Sequence, residues 1–270
     1  MSKPIAHWSL FLLLVTGLAG LPGCLAPPEP VEPMPAIWKQ ADPSGPQETL
    51  FVFLPGRFDA PEDFLDHGFW RQMRETGIPA DAVFTDAHLG YYYRQSLVER
   101  LSNDILQPAR NMGYRNIWVV GISLGGLGAV LFDADAPGWW DGMVLIAPFP
   151  GDNPSVLEAV RRSPSIANAE LPPEFPDDDY TAKFWHWFQD FQANPQGPLF
   201  LAIGNDDRLY SEQVLIARDL SPDRVLEVEG NHSWPVWEEL WTRLLPGLEE
   251  NLVKWQARRD SNPDRRNQNP

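Results

Sequence analysis

Apolar runs alternate with amphipathic stretches along most of the chain from residue 49 onward. Six apolar runs, each followed by turn-forming residues, predict strands. They are TLFVFLPG at 49–56, DAVFTDAH at 81–88, NIWVVGIS at 116–123, DGMVLIAPFPG at 141–151, GPLFLAIGNDD at 197–207 and RVLEVEGNHS at 224–233. Stretches with helical spacing of apolar residues predict helices at 94–113, 210–220 and 234–256. Strands that alternate with helices predict a mostly parallel sheet covered on both faces.

The first 23 residues follow a different pattern, that of an export signal. Lys3 supplies a cationic start, an apolar run too short to span a membrane comfortably extends from Trp8 to about Leu21, and small residues precede Cys24. LPGC at 21–24 resembles the lipobox of bacterial lipoproteins, which implies cleavage before Cys24 and a lipid on that cysteine. This interpretation predicts an exported, membrane-anchored lipoprotein on the periplasmic or cell-surface side. The alternative is an ordinary signal peptide that is cut nearby.

Sequences of low apolar periodicity flank the patterned region. Residues 24–47 are dense in proline, which predicts an extended tether, not part of the fold, behind the lipid-bearing Cys24. At about 3.1 Å per residue, such a tether would hold a domain several tens of Å from a membrane. Residues 257–270, ARRDSNPDRRNQNP, predict a disordered tail. Residues 48–256 remain, and we expect them to form one domain.

Composition and charge narrow the classes of function. The chain has 270 residues, 43% of them hydrophobic, which is enough to bury a substantial core. Its formal net charge is −16 and its basic residues are scattered, so its field would repel phosphate backbones and nucleic acid is not expected as a partner. Cys24 is the only cysteine, which excludes a disulfide framework, a thiolate zinc site and a cysteine nucleophile in the domain. We expect neither a metal nor a cofactor.

The strand at 116–123 passes directly into a run of small residues, and a serine lies at the junction. The segment Gly121-Ile122-Ser123-Leu124-Gly125 fits the G-x-S-x-G nucleophile elbow, in which flanking glycines relieve the crowding of a tight strand-to-helix turn. Such a turn exposes the serine hydroxyl and directs the Leu124 N–H toward the place where an oxyanion would form. The pattern therefore predicts Ser123 as a nucleophile.

A serine nucleophile needs a base, and the base needs an orienting acid. Asp206 and Asp207 follow the apolar run at 197–207, and His232 follows the next run. The carboxyl ends of parallel strands meet at one edge of a sheet, where open α/β sheets bind ligands, so these side chains should lie beside Ser123. An acid in a loop is often only a turn or helix cap, which applies to either aspartate.

With a serine, an acid and a histidine in this order, residues 49–255 resemble the α/β-hydrolase family of serine esterases and lipases. The resemblance implies an α/β-hydrolase fold with a small helical cap. The family spacing of a glycine, two residues and an aspartate favours Asp207 over Asp206 as the acid. By position, the turn Pro55-Gly56 replaces the His-Gly of many members, and the backbone N–H of Arg57 would join that of Leu124 in the oxyanion hole.

Two side chains near these motifs have an alternative structural interpretation. The Arg57 side chain could pair with Asp59 or bind a substrate carboxylate, and we favour the pair with Asp59. His88 ends the strand at 81–88, and a structural role is favoured over a place in the site.

The segment between the fourth and fifth runs is too long for a simple connection, so we expect residues 151–195 to form a helical cap over Ser123. Its aromatic residues would line an acyl pocket or, as we favour for most of them, pack the cap onto the body. They are Phe184, Trp185, Trp187, Phe188 and Phe191.

Together the motifs predict a serine hydrolase that cleaves a carboxylic ester of a small-molecule acyl substrate. Thioesterase, amidase and peptidase activities of the same fold remain alternatives, because they differ in pocket shape and leaving group. A further alternative is a non-catalytic lipoprotein that uses the scaffold to bind a partner.

Overall fold

A computed structural model describes residues 27–260. Seven strands form one sheet in the order β1-β3-β2-β4-β5-β6-β7, in which only β1 is antiparallel to its neighbour. The strands are β1 (Ala36–Lys39), β2 (Thr49–Leu54), β3 (Ala80–Thr85), β4 (Asn116–Ile122), β5 (Gly142–Ile146), β6 (Leu199–Gly204) and β7 (Val225–Val228). The mostly parallel sheet predicted from the apolar runs is confirmed.

Helices connect the strands and cover both faces of the sheet. They are α1 (Pro61–Asp66), α2 (Phe69–Glu75), α3 (Leu89–Tyr93), α4 (Leu97–Arg100), α5 (Gln107–Asn111), α6 (Leu124–Asp135), α7 (Pro154–Arg162), α8 (Tyr180–Ala193), α9 (Tyr210–Ala217) and α10 (Trp234–Asp260). A π-helical turn at Leu101–Leu106 joins α4 to α5 just before Pro108, and short 3₁₀ turns lie at Ile166–Asn168 and Pro222–Arg224. No helix within residues 27–260 is both long enough and apolar enough to cross a membrane.

The core consists of two apolar layers, one on each face of the sheet. Alternate side chains of β2 enter different layers, with Leu50 and Val52 on one side and Phe51 and Phe53 on the other. The first layer is closed by α6 and α8, and the second by α1, α2 and α10. Both faces of the sheet are therefore buried from solvent, which explains why the central strands are continuous apolar runs.

The segment before β2 differs from the extended tether predicted for it. Met34 is buried in the core and its N–H donates to Asp104 Oδ2 at 2.9 Å, and β1 pairs with β3 as an edge strand of the sheet. The Val31 backbone both donates to and accepts from the Tyr91 hydroxyl. The tether prediction was therefore wrong for residues 27–47, because partners distant in sequence hold this segment onto the domain.

The structure covers only part of the segments predicted at the two chain ends. The predicted signal peptide and Cys24 lie outside the described residues, as do residues 261–270 of the predicted tail. Helix α10 continues to Asp260, beyond residue 256, where the sequence placed the end of the domain.

Candidate active site

Three parallel strands bring the predicted site residues to one edge of the sheet. Ser123 directly follows β4, Asp207 lies in the loop after β6, and His232 lies in the loop after β7. The last two loops are joined by backbone hydrogen bonds, from Asn205 N–H to Val228 O and from Asp206 N–H to Gly230 O, both 2.9 Å long. The strand order therefore assembles residues that are more than one hundred positions apart.

The turn at Ser123 is strained, and its flanking glycines permit it. Ser123 has φ +52° and ψ −112°, a conformation that side-chain-bearing residues rarely adopt. A Cβ at Gly121 would clash with the Gly125 carbonyl group, and a Cβ at Gly125 would clash with the Leu54 carbonyl oxygen. The Ser123 N–H donates to Ile146 O at the end of β5, 3.0 Å away. The surrounding backbone thus holds the serine in the geometry of a nucleophile elbow.

A continuous hydrogen-bond chain links the three predicted residues. Ser123 Oγ lies 2.8 Å from His232 Nε2, and His232 Nδ1 lies 2.6 Å from Asp207 Oδ2. The Asp207 side chain is fully buried and the His232 side chain is 9% exposed. Asp206 is exposed and its side chain takes no part in the chain. This arrangement can move a proton from the serine hydroxyl to the imidazole while the carboxylate holds the ring.

Asp207 is itself fixed by donors that the sequence did not single out. Its Oδ1 accepts the Leu209 N–H at 2.8 Å, and its Oδ2 lies 3.4 Å from Gln213 Nε2. Gln213 is fully buried in α9 and also donates to Pro148 O at 3.2 Å. A glutamine inside a short amphipathic helix carries no sequence signal that would mark it as a support for the acid.

The two predicted oxyanion donors border the same cavity as Ser123. The backbone N–H groups of Arg57 and Leu124 have no hydrogen-bond acceptor within the described chain. For Leu124 this follows from its place in the first turn of α6, where the N–H groups lack intrahelical partners. Gly56 packs against Ser123, since a Cβ there would lie 3.6 Å from the serine Cβ. The role of both N–H groups as oxyanion donors stays a prediction.

Comparisons with known proteins establish the fold. No protein-family profile and no curated protein matches the chain. Among solved structures, Est1E from Butyrivibrio proteoclasticus with bound ferulic acid aligns with a TM-score of 0.58 and 16% identity, covering 82% of this chain and 96% of that one. An S-formylglutathione hydrolase from Staphylococcus aureus has a TM-score of 0.56 and 13% identity, with 83% and 99% covered. The chain has the α/β-hydrolase fold.

A monoacylglycerol lipase from Paleococcus ferrophilus shares this α/β-hydrolase fold, with a TM-score of 0.55 and 14% identity over 81% of this chain and 99% of that one. The structural neighbours are thus esterases and lipases. At these identities the likeness extends to the fold, and the chemistry of this chain is argued from its own residues.

The Arg57 side chain differs from its predicted role. It is exposed, its guanidinium carbon lies 5.0 Å from the Phe58 ring centroid, and no carboxylate of residues 27–260 forms an ion pair with it. Asp59 instead accepts the indole N–H of Trp234 at 3.1 Å. The predicted pair was wrong because the turn sends the two side chains in different directions, one toward solvent and one toward α10.

The cavity beside Ser123 has a volume of about 760 Å³. Its lining includes apolar residues, among them Leu89, Leu127 and Phe149. It also includes the polar residues Asp152, Asn153, Asp178, Tyr180 and Arg208. A cavity of this size and mixed lining accommodates a substrate that has both apolar and polar groups.

The segment predicted as a cap contributes to this cavity through its ends. Residues 151–153 and 178–181 border the cavity, whereas none of the five aromatic residues of α8 does so. Phe184, Trp185 and Phe188 are fully buried in the core layer that includes α6. The favoured interpretation, that most of these aromatic residues pack the segment onto the body, is confirmed.

His88 has a structural role in helix α3. His88 Nδ1 accepts the Gly90 N–H at 3.1 Å and caps α3, and it does not border the cavity, so its favoured structural role is confirmed. Within residues 27–260, no group of three or more His, Cys, Asp or Glu side chains is arranged to hold a metal ion.

Proposed function

We propose that this protein is a serine hydrolase that cleaves a carboxylic ester through an acyl-enzyme. The observation that carries the proposal is the hydrogen-bond chain from Ser123 through His232 to Asp207 at a strained elbow. A binding scaffold needs neither the strained backbone nor three aligned side chains. Strain of this kind costs stability and persists where the surrounding structure enforces it, as at active sites.

In the proposed reaction, His232 Nε2 accepts the Ser123 hydroxyl proton while Oγ attacks the ester carbonyl carbon. The negative charge that develops on the carbonyl oxygen is stabilised by the N–H groups of Leu124 and Arg57. Collapse of the tetrahedral intermediate breaks the bond to the alcohol oxygen, which leaves with the proton from His232. Water then attacks the acyl-enzyme in the same way and releases the acid.

Asp207 orients the base throughout this cycle. Its carboxylate accepts a hydrogen bond from His232 Nδ1–H, so that Nε2 is the ring nitrogen without a proton and faces Ser123. The imidazolium that forms after proton transfer is stabilised by the same carboxylate, which is shielded from water.

The names of the structural neighbours favour an ester over an amide or a peptide, while the S-formylglutathione hydrolase among them keeps a thioester as an alternative. Their names include a ferulic acid esterase and a monoacylglycerol lipase. The mixed lining of the cavity fits a substrate with an apolar acyl part and a polar alcohol part, or the reverse. Thioesters, amides and peptides remain the alternatives that an activity panel must distinguish.

A panel of matched substrates tests the reaction type. Residues 27–260 should hydrolyse p-nitrophenyl acetate and butyrate with multiple turnovers, and should cleave the corresponding p-nitroanilides more than about 100-fold more slowly. The reason is that an amine is a much poorer leaving group than a phenol unless the site protonates it. Faster cleavage of the anilides would show an amidase, and turnover of neither series would contradict the hydrolase proposal.

We also propose that Cys24 carries a lipid that anchors the protein in a membrane. The lipobox-like sequence at 21–24 supports this proposal. Several acyl chains together would anchor firmly, because each buried CH₂ contributes about 0.8 kcal/mol and one chain alone binds only marginally.

The Cys24→Ser variant tests the anchor. The wild-type protein should fractionate with membranes and incorporate labelled palmitate, whereas Cys24→Ser should do neither and should keep its ester turnover per molecule. If Cys24→Ser stays in the membrane fraction, the anchor is an uncleaved apolar N-terminal segment instead.

A further inference from the structure

Asp59 connects two parts of the site that are distant in sequence. It follows Arg57 by two residues, and its N–H donates to Gly56 O at 3.3 Å, which closes the turn after β2. Its Oδ1 accepts the indole N–H of Trp234 at 3.1 Å. Trp234 begins α10, two residues after His232. One carboxylate therefore lies between the turn that carries the Arg57 N–H and the segment that carries the base.

The Trp234 side chain, which donates this hydrogen bond, is held in place by aromatic packing. The Trp234 ring stacks on His67 with ring centroids 4.4 Å apart, and Phe64, Phe69 and Trp237 meet it edge-on at 5.2–5.7 Å. Phe64 and Phe69 are fully buried. The indole N–H is thus held in one direction by the aromatic cluster, and it can fix the position of its acceptor.

The Asp59 carboxylate also packs against the backbone of the turn after β2. Gly56 has no side chain, and a Cβ at this position would clash with Asp59 Oδ2, so the carboxylate lies directly against the Gly56 backbone. Burial raises the pKa of the Asp59 carboxyl above its ordinary value. No Lys or Arg of residues 27–260 forms an ion pair with it. Burying a carboxylate without a cation is costly, and the hydrogen bond from the Trp234 indole offsets part of this cost.

We propose that Asp59 is a positioning residue, which fastens the turn bearing the Arg57 N–H to Trp234 and so holds the oxyanion site in register with His232. This inference rests on the proposed function. An oxyanion donor is effective only at about 2.7–3.1 Å from the position of the oxyanion, so a small displacement of the turn weakens the bond made in the transition state. Ground-state binding of the ester, which uses the cavity wall, is left nearly unchanged.

Four variants test the inference by steady-state hydrolysis of p-nitrophenyl acetate. We expect Asp59→Ala to lower kcat by about 10- to 100-fold with KM within about threefold, because a misplaced donor affects mainly the transition state. Asp59→Asn keeps an acceptor for the indole and should retain an intermediate kcat. Trp234→Phe keeps an aromatic ring without the donor, breaks the same hydrogen bond and should resemble Asp59→Ala. Glu62→Gln, which removes a neighbouring charge in α1, should match the wild type.

Two further measurements separate positioning from a general loss of structure. The affinity for an alkylboronic acid, which forms a tetrahedral adduct with the serine, should fall by the same factor as kcat/KM across the series. The double variant Asp59→Ala/Trp234→Phe should be no slower than Asp59→Ala alone, because both changes break one connection. If Asp59→Ala does not fold, the boronic acid series is measured on Asp59→Asn and Trp234→Phe. The double variant is then Asp59→Asn/Trp234→Phe, which should be no slower than Trp234→Phe alone.

The outcomes distinguish this inference from the proposed function. Wild-type turnover that Ser123→Ala abolishes supports the hydrolase independently of Asp59. On that active background, an unchanged kcat in the Asp59 and Trp234 variants, a change confined to KM, or effects that multiply in the double variant would overturn the positioning role alone. Absence of wild-type turnover would overturn both.

Discussion

Ser123→Ala is expected to lower ester turnover by a factor on the order of 10⁵ to 10⁶ and to abolish covalent labelling by a fluorophosphonate probe. Only a serine whose proton can pass to a neighbouring base, beside donors for an oxyanion, reacts readily with such a probe. Ser123 meets both conditions, with His232 Nε2 at 2.8 Å and free N–H groups on the adjoining backbone. The measurement is in-gel labelling together with hydrolysis of p-nitrophenyl butyrate.

Ser233→Ala is the matched control. Ser233 neighbours His232, and its hydroxyl bonds only to Asn231 within the described chain, so labelling and turnover should persist. Labelling that survives Ser123→Ala would show that another nucleophile reacts.

Asp207→Asn is expected to lower turnover by about four orders of magnitude, the cost of losing the orienting acid in a serine triad. The side-chain amide would replace the carboxylate oxygen that now lies 2.6 Å from His232 Nδ1, and it would favour the ring tautomer with its proton on Nε2. That tautomer cannot accept the Ser123 proton. The comparison is kcat/KM on one p-nitrophenyl ester for the wild type and the variant.

Asp206→Asn makes the same charge change one residue earlier. Asp206 is exposed, and its side chain makes no contact with the imidazole, so its turnover should stay within about twofold of the wild type. A larger loss of turnover in Asp206→Asn than in Asp207→Asn would show that Asp206, and not Asp207, orients the base.

The parts of the site that a local pattern could predict are those with a local cause. The elbow at Ser123 follows from glycines two residues away on either side, and Asp207 and His232 each lie within four residues of the end of a strand. Parallel strands then bring such loops together whatever their distance along the chain. Six of the seven strands also appear as apolar runs in the sequence, and β2 to β6 do so because they are buried on both faces.

The features that sequence reasoning missed depend on partners far away in the chain. Asp59 lies beside Arg57 in sequence but bonds to Trp234, 175 residues later. Met34 is held by Asp104, 70 residues later. A proline-rich segment gives no local sign of such contacts, since proline suits an edge strand or a docked extended segment as well as a free one.

The docked N-terminal segment changes what a lipid on Cys24 would do. Glu29 and Glu32 form ion pairs with Arg94 and Arg100, and Pro28 lies directly against Gly90 in α3. Only three residues separate Cys24 from Pro28 in the sequence, so the two Cα atoms are at most about 14 Å apart.

Helix α3 also borders the cavity, through Leu89, Tyr92 and Tyr93. If Cys24 carries a lipid as proposed, the short connection would keep α3 within a small distance of the bilayer, with one wall of the cavity near the headgroups. Under the two proposals together, esters dissolved in that leaflet or gathered at its surface would reach the cavity by lateral diffusion in two dimensions.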